Sequence, residues 1–155
     1  MYIIGDYIRD LVNNFALIVS LMGWLIASLF KIIIGLIREK RVDFRRIYGS
    51  GGMPSSHSAT VTALATAVAK TDGLYSTSFA IAFMFAFIVM YDALGVRRAA
   101  GEQARILNQM VNNMSQQRPV YLKKKLKELI GHTPLEVIVG GLLGVLIGLI
   151  APYAP

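Results

Sequence analysis

The sequence predicts an all-α fold: an integral membrane four-helix antiparallel bundle with interfacial amphipathic helices. Of its 155 residues, 55% are hydrophobic, and the mean hydropathy of +0.55 exceeds that of ordinary soluble domains. The apolar residues gather in four stretches that few charges interrupt, which disfavours the alternative of a buried soluble bundle. The length fits one domain covering 1–155.

Each apolar stretch is predicted to form one membrane-crossing helix. The four predicted spans cover about 15–37, 54–70, 77–97 and 133–151. The first and third have the length that a helix needs to cross the hydrocarbon layer, roughly 20 residues. The second is shorter and rich in Ala and Thr, which indicates a helix packed inside the bundle.

The fourth predicted span carries glycines at a regular interval. Gly140, Gly144 and Gly148 are four residues apart and therefore share one helix face. Small residues at this spacing let another helix backbone approach closely. The pattern predicts tight packing of this helix, and it also allows a homo-oligomer through the same three glycines.

The basic residues are distributed unequally along the chain. Four crossings place both termini on one side of the membrane and the segments 38–53 and 98–131 on the other. All Lys and Arg residues except Arg9 and Lys70 fall on or beside these two segments. The positive-inside rule then predicts a multi-pass protein of the plasma membrane, with the basic segments cytoplasmic and both termini outside. This topology explains the net charge of +7 without a nucleic-acid partner.

The cytoplasmic segment 98–131 is predicted to contain two amphipathic helices. Apolar residues recur at helical spacing over 99–114, which indicates a helix that continues from the third span. Pro119 should end it. From 121 to 130 lysines alternate with apolar residues, and this pattern predicts a second helix on the anionic inner leaflet.

Residues able to carry chemistry fall where all four predicted spans meet the cytoplasm. They comprise both histidines of the chain and the ionisable or hydroxyl residues nearest the spans: Lys31, Arg38, Ser55, Ser56, His57, Asp92, Arg97, Arg98, His132 and Glu136. Charged groups at this depth are costly unless they are paired or functional. The alternatives for single residues are ordinary: a helix cap, a snorkelling lysine or an ion pair between Asp92 and one of the two arginines at 97–98.

The segment Ser55-Ser56-His57 opens the second predicted span. The first N–H groups of a helix lack acceptors one turn earlier, and the helix dipole makes this end positive. Such an end binds anions readily. Pro54 suits the first helical turn because its missing N–H would have no partner there. A titratable histidine beside an anion site indicates phosphate chemistry at the membrane surface.

Four pieces of the sequence resemble the motifs of one enzyme family. Lys31 and Arg38 fit a K-x-x-x-x-x-x-R motif, and the P-S-S-H at 54–57 is similar to P-S-G-H. The segment 131–137 resembles G-x-H-x-x-x-D, and the stretch 89–98 adds to the likeness. Together they resemble a divergent branch of the type 2 phosphatidic acid phosphatases, which are relatives of the vanadium haloperoxidases.

The resemblance implies a metal-independent phosphatase that acts on lipid phosphates through a phosphohistidine. Its implied catalytic residues are His132 as nucleophile, Glu136 as its orienting partner and His57 as the acid for the leaving group. Lys31, Arg38, Ser55, Ser56, Arg97 and Arg98 are the implied phosphate-binding residues, with Asp92 in support. No cofactor is implied, and the implied substrates are phosphatidate, phosphatidylglycerol phosphate or an isoprenyl diphosphate.

The sequence departs from the family pattern at four places. Glu39 stands where the family has a proline after the first-motif arginine, Ser56 replaces a glycine, and Glu136 replaces an aspartate. The S-R pair expected before the final histidine is absent, since Lys-Leu stands at 125–126. An arginine at 97–98 or a lysine within 123–127 is the candidate replacement for the missing arginine.

Two other functions fit the same composition. A non-catalytic protein that binds or transports lipid phosphates would use the basic pocket without cleaving its ligand, although transporters tend to have helices interrupted at mid-membrane. A membrane scaffold would dimerise through the glycines of the fourth span and would need neither histidine.

Overall fold

The computed structural model describes residues 4–39, 52–117 and 132–153, and all secondary structure in these ranges is helical. The helices are α1 (Ile4–Val12), α2 (Phe15–Glu39), α3 (Ser56–Asp72), α4 (Thr77–Leu94), α5 (Val96–Gln117) and α6 (Pro134–Ile150). The helix predicted at 121–130 and the break predicted at Pro119 lie outside the described residues.

Side-chain caps set the starts of four of the described helices, α2, α3, α4 and α6. The hydroxyls of Ser55, Ser76 and Thr133 accept hydrogen bonds from N–H groups in the first turns of α3, α4 and α6. Because Ser55 is the cap, Pro54 precedes the helix and does not occupy its first turn as predicted. Pro134, by contrast, does stand in the first turn of α6.

Helix α3 forms the centre of the molecule, and α2, α4 and α6 pack around it. Its buried positions are almost all Ala or Ser, with Ala59, Ala63 and Ala67 wholly enclosed. Such small side chains let three neighbours approach one helix. The prediction of a packed inner helix at 54–70 corresponds to this element.

Contacts along α3 fix the directions of its two closest neighbours. Lys31, near the end of α2, meets Ser56 at the start of α3, so these helices run in opposite directions. Helix α6 runs parallel to α3, because Gly140 packs on Ser55 and Gly148 packs on Thr66. The hydroxyl of Thr62 joins the pair midway by donating a hydrogen bond of 2.9 Å to the carbonyl of Gly141.

The glycine face of α6 is therefore occupied within the chain. A Cβ atom on Gly144 would overlap the Thr62 hydroxyl and the Ala59 carbonyl, and all three glycines of the series are buried. This contact accounts for the glycine spacing as packing inside the protomer. Homo-oligomerisation stays a prediction, and it would need a surface other than this one.

Within the described residues, two helical segments are long and apolar enough to cross a membrane. They are Phe15–Ile37 in α2 and Thr77–Asn113, which joins α4 to most of α5. Helix α6 is equally apolar but shorter, at 17 residues. The two candidate spans agree with the first and third predicted ones, while the complete four-span antiparallel bundle and its orientation stay predictions.

Helix α1 is an element that the sequence analysis did not predict. Its apolar residues Ile4, Tyr7, Ile8, Leu11 and Val12 recur at helical spacing and are all exposed. Asn14 lies between α1 and α2. Its side-chain oxygen caps the start of α2 by accepting a hydrogen bond of 3.0 Å from the N–H of Leu17. The predicted amphipathic helix at 99–114 is present as part of α5.

Candidate active site

The candidate site lies where the amino ends of α3 and α6 meet. The backbone N–H of Ser55 donates a hydrogen bond of 3.0 Å to the carbonyl of Glu136, which ties the two helix starts together. Gly140 makes this junction close, because any Cβ there would overlap the backbone of Ser55. Since the helices are parallel, two positive dipole ends converge on one place, where an anion is favoured.

His132 stands immediately before the Thr133 cap of α6 and is 1% exposed. Its Nδ1 lies 3.2 Å from Oε2 of Glu136, one turn further along. A carboxylate at this distance favours the tautomer with the proton on Nδ1 and leaves Nε2 as the nucleophilic nitrogen. This geometry agrees with the predicted pairing of the two residues.

Glu136 also has a structural task. Its Oε2 accepts a hydrogen bond of 3.0 Å from the N–H of Thr133, and its own N–H donates to the Thr133 hydroxyl. This reciprocal pair is a capping box, which stabilises the start of α6. The same carboxylate therefore fixes both the helix end and the ring of His132.

His57 is exposed in the first turn of α3. Its ring centroid lies 6.2 Å from that of His132, and the two rings are steeply inclined at 65°. The two histidines therefore lie side by side at the junction, one ring exposed and the other buried. The exposed ring can exchange protons with solvent, whereas the buried ring of His132 is shielded from it.

Lys31 brings a positive charge into this junction from α2. Its side chain is 2% exposed, and its Nζ donates a hydrogen bond of 3.2 Å to the hydroxyl of Ser56. Glu136 attracts this ammonium electrostatically. Within the described residues the bond to Ser56 uses one of the three ammonium donors, so the buried charge has further bonding capacity for an anion.

Ser55 caps the start of α3, whereas the hydroxyl of its neighbour Ser56 binds Lys31. The hydroxyl of Ser55 is fully buried and accepts hydrogen bonds from the N–H and the hydroxyl of Ser58, at 3.3 and 3.0 Å. This role as a helix cap was not predicted for it. The Ser55 hydroxyl is therefore engaged at the helix start, and the positive end of the α3 dipole is what favours an anion at this junction.

The structure thus brings together six of the predicted site residues: Lys31, Ser55, Ser56, His57, His132 and Glu136. Asp92 is half-buried near the end of α4. The side chains of Arg38, Arg97 and Arg98 lie outside the described part of the structure, as do the segment 123–127 and most of the glycine-rich loop before Met53. The predicted roles of these residues and the pairing of Asp92 stay predictions.

Thr133 as a helix cap was one alternative offered by the sequence, but the full capping box beside His132 was not predicted, although its signal was present. Thr133 followed by Glu136 is the T-x-x-E pattern of such a box, directly before an apolar run.

Within residues 4–39, 52–117 and 132–153 no group of three His, Cys, Asp or Glu side chains is placed to hold a metal ion.

The fold and the site define a class before any comparison is made. Helical segments long and apolar enough for a bilayer indicate a helical membrane protein, and two histidines and a buried lysine meet at the amino ends of α3 and α6. The chain matches the model of the Divergent PAP2 family over residues 12–147. It belongs to that family and is a PAP2-like membrane protein.

A relative supports the same assignment. The chain is 45% identical over 154 residues to "Uncharacterized membrane protein YuiD" of Bacillus subtilis (strain 168), an alignment that covers 93% of this chain and 98% of that protein. No solved structure matches the chain. The family match confirms the resemblance to a divergent branch of the PAP2 family.

Proposed function

We propose that the protein is a membrane phosphatase that hydrolyses the phosphate monoester or diphosphate of a lipid through a phosphohistidine. The observation that carries this proposal is the buried ring of His132, whose Nδ1 lies against Glu136 at the junction of two helix amino ends. In this proposal His132 is the nucleophile, Glu136 one helical turn later is the orienting carboxylate, and the amino ends of α3 and α6 with Lys31 form the anion site.

In the first step His132 attacks phosphorus. The lone pair of Nε2 forms a bond to phosphorus while the bond from phosphorus to the lipid oxygen breaks. Protonated His57 gives its proton to the leaving alkoxide, and general acid help of this kind contributes about 10²–10⁴-fold to a rate. Glu136 stabilises the positive charge that develops on the imidazole of His132.

In the second step water releases the phosphate. Neutral His57 accepts a proton from the attacking water, the new bond from oxygen to phosphorus forms, and the bond from phosphorus to Nε2 of His132 breaks. Lys31, the N–H of Ser56 and the positive end of the α3 dipole would hold the phosphoryl oxygens, where negative charge spreads in the transition state. The predicted contribution of Arg38, Arg97 or Arg98 would add to this clamp.

The substrate proposal follows from location. A site at the end of apolar helices receives ligands from the membrane, so we infer a lipid whose phosphate reaches the polar boundary. Phosphatidate, phosphatidylglycerol phosphate and an isoprenyl diphosphate share this chemistry. The basic residues that adjoin the site residues along the sequence, at 38–53 and 98–131, favour anionic headgroups.

Phosphate release by purified protein in detergent micelles tests the proposal. The three substrates are compared in the wild type, in His132→Ala and in His57→Ala, with vanadate as an inhibitor. The proposal requires release that vanadate blocks and that falls to background in His132→Ala while the helical circular dichroism signal is unchanged. Release that survives in both histidine variants would overturn it.

The runner-up function is lipid-phosphate binding or transport without cleavage. It is favoured by the departures from the family pattern at Ser56 and at 125–126. Saturable binding of phosphatidate by a folded wild type that releases no phosphate would establish this alternative, and replacement of Lys31 should then weaken the binding.

A further inference from the structure

An apolar groove runs along the surface of the bundle away from the candidate site. Its volume is about 480 Å³, within the range of small-molecule pockets. Residues of α3, α4 and α6 line it, among them Thr66, Phe79, Phe83, Phe87, Val145 and Leu149.

The lining of the groove is suited to hydrocarbon. The hydroxyl of Thr66 donates a hydrogen bond of 2.8 Å to the carbonyl of Thr62. The single proton of the Thr62 hydroxyl is shared between the carbonyls of Ser58 and Gly141, at 2.8 and 2.9 Å. The polar atoms of both threonines are therefore engaged by the helices, and the rest of the lining is alanine, aromatic or aliphatic. Helix α4, which forms one wall, belongs to a segment apolar enough to cross a membrane.

The groove and the candidate site share two helices. Thr62, at the near end of the groove, is six residues from Ser56 and thus about 9 Å further along the axis of α3. The far end at Ala69 is about 20 Å from Ser56 by the same measure. Met90 packs against Gly141 at the near end, and Leu74 lines the far end. The groove therefore begins within the length of a lipid's polar linker from the start of α3, as measured along the helix axis.

We propose that this groove binds a hydrocarbon chain of the same lipid whose phosphate occupies the candidate site. The inference rests on the proposed function, and it adds a chain-selecting element to it. The occupant is an acyl or isoprenoid chain, because a groove with an apolar lining beside a membrane-crossing wall offers it only dispersion and hydrophobic contacts.

Turnover of long-chain and short-chain substrates tests the groove. Val145→Trp fills it, whereas Leu146→Trp places the same side chain on the neighbouring position of α6, which does not line it. Dioleoyl phosphatidate and soluble dihexanoyl phosphatidate are compared. Val145→Trp should lower kcat/KM for the long-chain substrate at least about tenfold, the contribution of roughly two buried methylene groups. It should leave the short-chain substrate unchanged, and Leu146→Trp should change neither.

Fluorescence quenching provides a readout that needs no turnover. In a Trp24→Phe background, Phe83→Trp reports on the groove and Phe85→Trp reports on the exposed surface of α4 outside it. Phosphatidate with brominated chains is added to phosphatidylcholine nanodiscs. Quenching at position 83 should saturate at a low mole fraction and reverse with unbrominated phosphatidate. Quenching at position 85 should rise in proportion to the brominated fraction.

The outcomes separate the two proposals. Saturable quenching without phosphate release from either substrate would retain the groove and reject the phosphatase. Equal turnover in Val145→Trp and Leu146→Trp, together with equal quenching in Phe83→Trp and Phe85→Trp, would mean that bulk lipid fills the groove. This result would overturn the inference. Cross-linking of two copies through position 83, with no quenching there, would overturn it in favour of a protein interface.

Discussion

Each end of α3 engages a lysine, and the two lysines have different surroundings. At the carboxyl end of α3, called the far end here, Nζ of Lys70 donates hydrogen bonds to the carbonyls of Gly148, Leu149 and Ala151, at 3.3, 3.0 and 2.7 Å. These bonds use all three ammonium donors and cap the carboxyl end of α6. At the amino end of α3, the near end, Lys31 of α2 donates a hydrogen bond to the hydroxyl of Ser56 within the described residues.

The difference separates a structural charge from a functional one. Lys70 lies at the negative end of the α6 dipole, where a cation stabilises the helix. Lys31 lies beside the positive ends of α3 and α6, where a buried cation is unfavourable unless an anion joins it. Glu136 supplies part of that compensation. A bound phosphate would supply the rest of the negative charge that compensates Lys31.

The largest effect is expected from exchanging the two lysines for an uncharged side chain of similar length. Lys31→Met should lower kcat/KM for phosphate release about 100-fold or more, because it removes a charge that faces the transition state. Lys70→Met should leave kcat/KM unchanged and lower the free energy of unfolding by about 1–3 kcal/mol, since three carbonyls lose a charged donor. Equal loss of activity in both variants, at equal stability, would erase the distinction.

The two roles of Glu136 can be separated by the next largest effect. Glu136→Gln keeps a capping-box acceptor but removes the charge beside His132, so kcat should fall about 10–100-fold with little change in melting temperature. Thr133→Ala removes the cap and leaves the carboxylate, so it should cost about 1 kcal/mol of stability and little activity. An active Glu136→Gln variant would show that the carboxylate serves the helix alone.

The packing of α6 against α3 depends on the α6 glycines. Gly144→Ala should lower the free energy of unfolding by about 1–3 kcal/mol, because the new methyl group would overlap Thr62 and Ala59. Gly5→Ala is the matched control, since no atom lies within 4 Å of a Cβ at that position. Thermal unfolding in detergent measures both. A loss of oligomers without a loss of protomer stability in Gly144→Ala would favour the scaffold function instead.

The smallest effect is expected at the hydroxyl that holds Lys31. Ser56→Ala should raise KM about three- to tenfold with a smaller change in kcat, the contribution of one hydrogen bond to a charged group. Ser28→Ala is the control, since this serine is buried one turn before Lys31 and its hydroxyl makes no hydrogen bond within the described residues. If both variants behave alike, Ser56 does not position the lysine.

Much of the near end could be predicted from the sequence because its residues stand next to strong local patterns. The histidines at 57 and 132 each precede or open an apolar run, and Glu136 follows His132 by one helical turn. The four-residue glycine spacing predicted a close helix contact. These are short-range relations, and the helical period is enough to place them.

The far end and the helix partners could not be predicted in this way. That the glycines of α6 face α3, and not a second copy, depends on long-range packing that no local pattern records. Lys70 bonds to carbonyls nearly 80 residues later in the chain, and nothing in its own neighbourhood marks that role. Helix α1 was missed because its 9 residues are too short to stand out as a span.

The most direct test of the central claim is to trap the phosphohistidine. Wild-type protein would be mixed briefly with phosphatidate and quenched in alkali, which preserves a phosphorylated imidazole, and its peptides would be analysed by mass spectrometry. The account predicts a phosphoryl group on His132 that appears during turnover and is absent in His132→Ala. Steady phosphate release with no phosphorylation of His132 at any time point, or with phosphorylation of His57 instead, would contradict it.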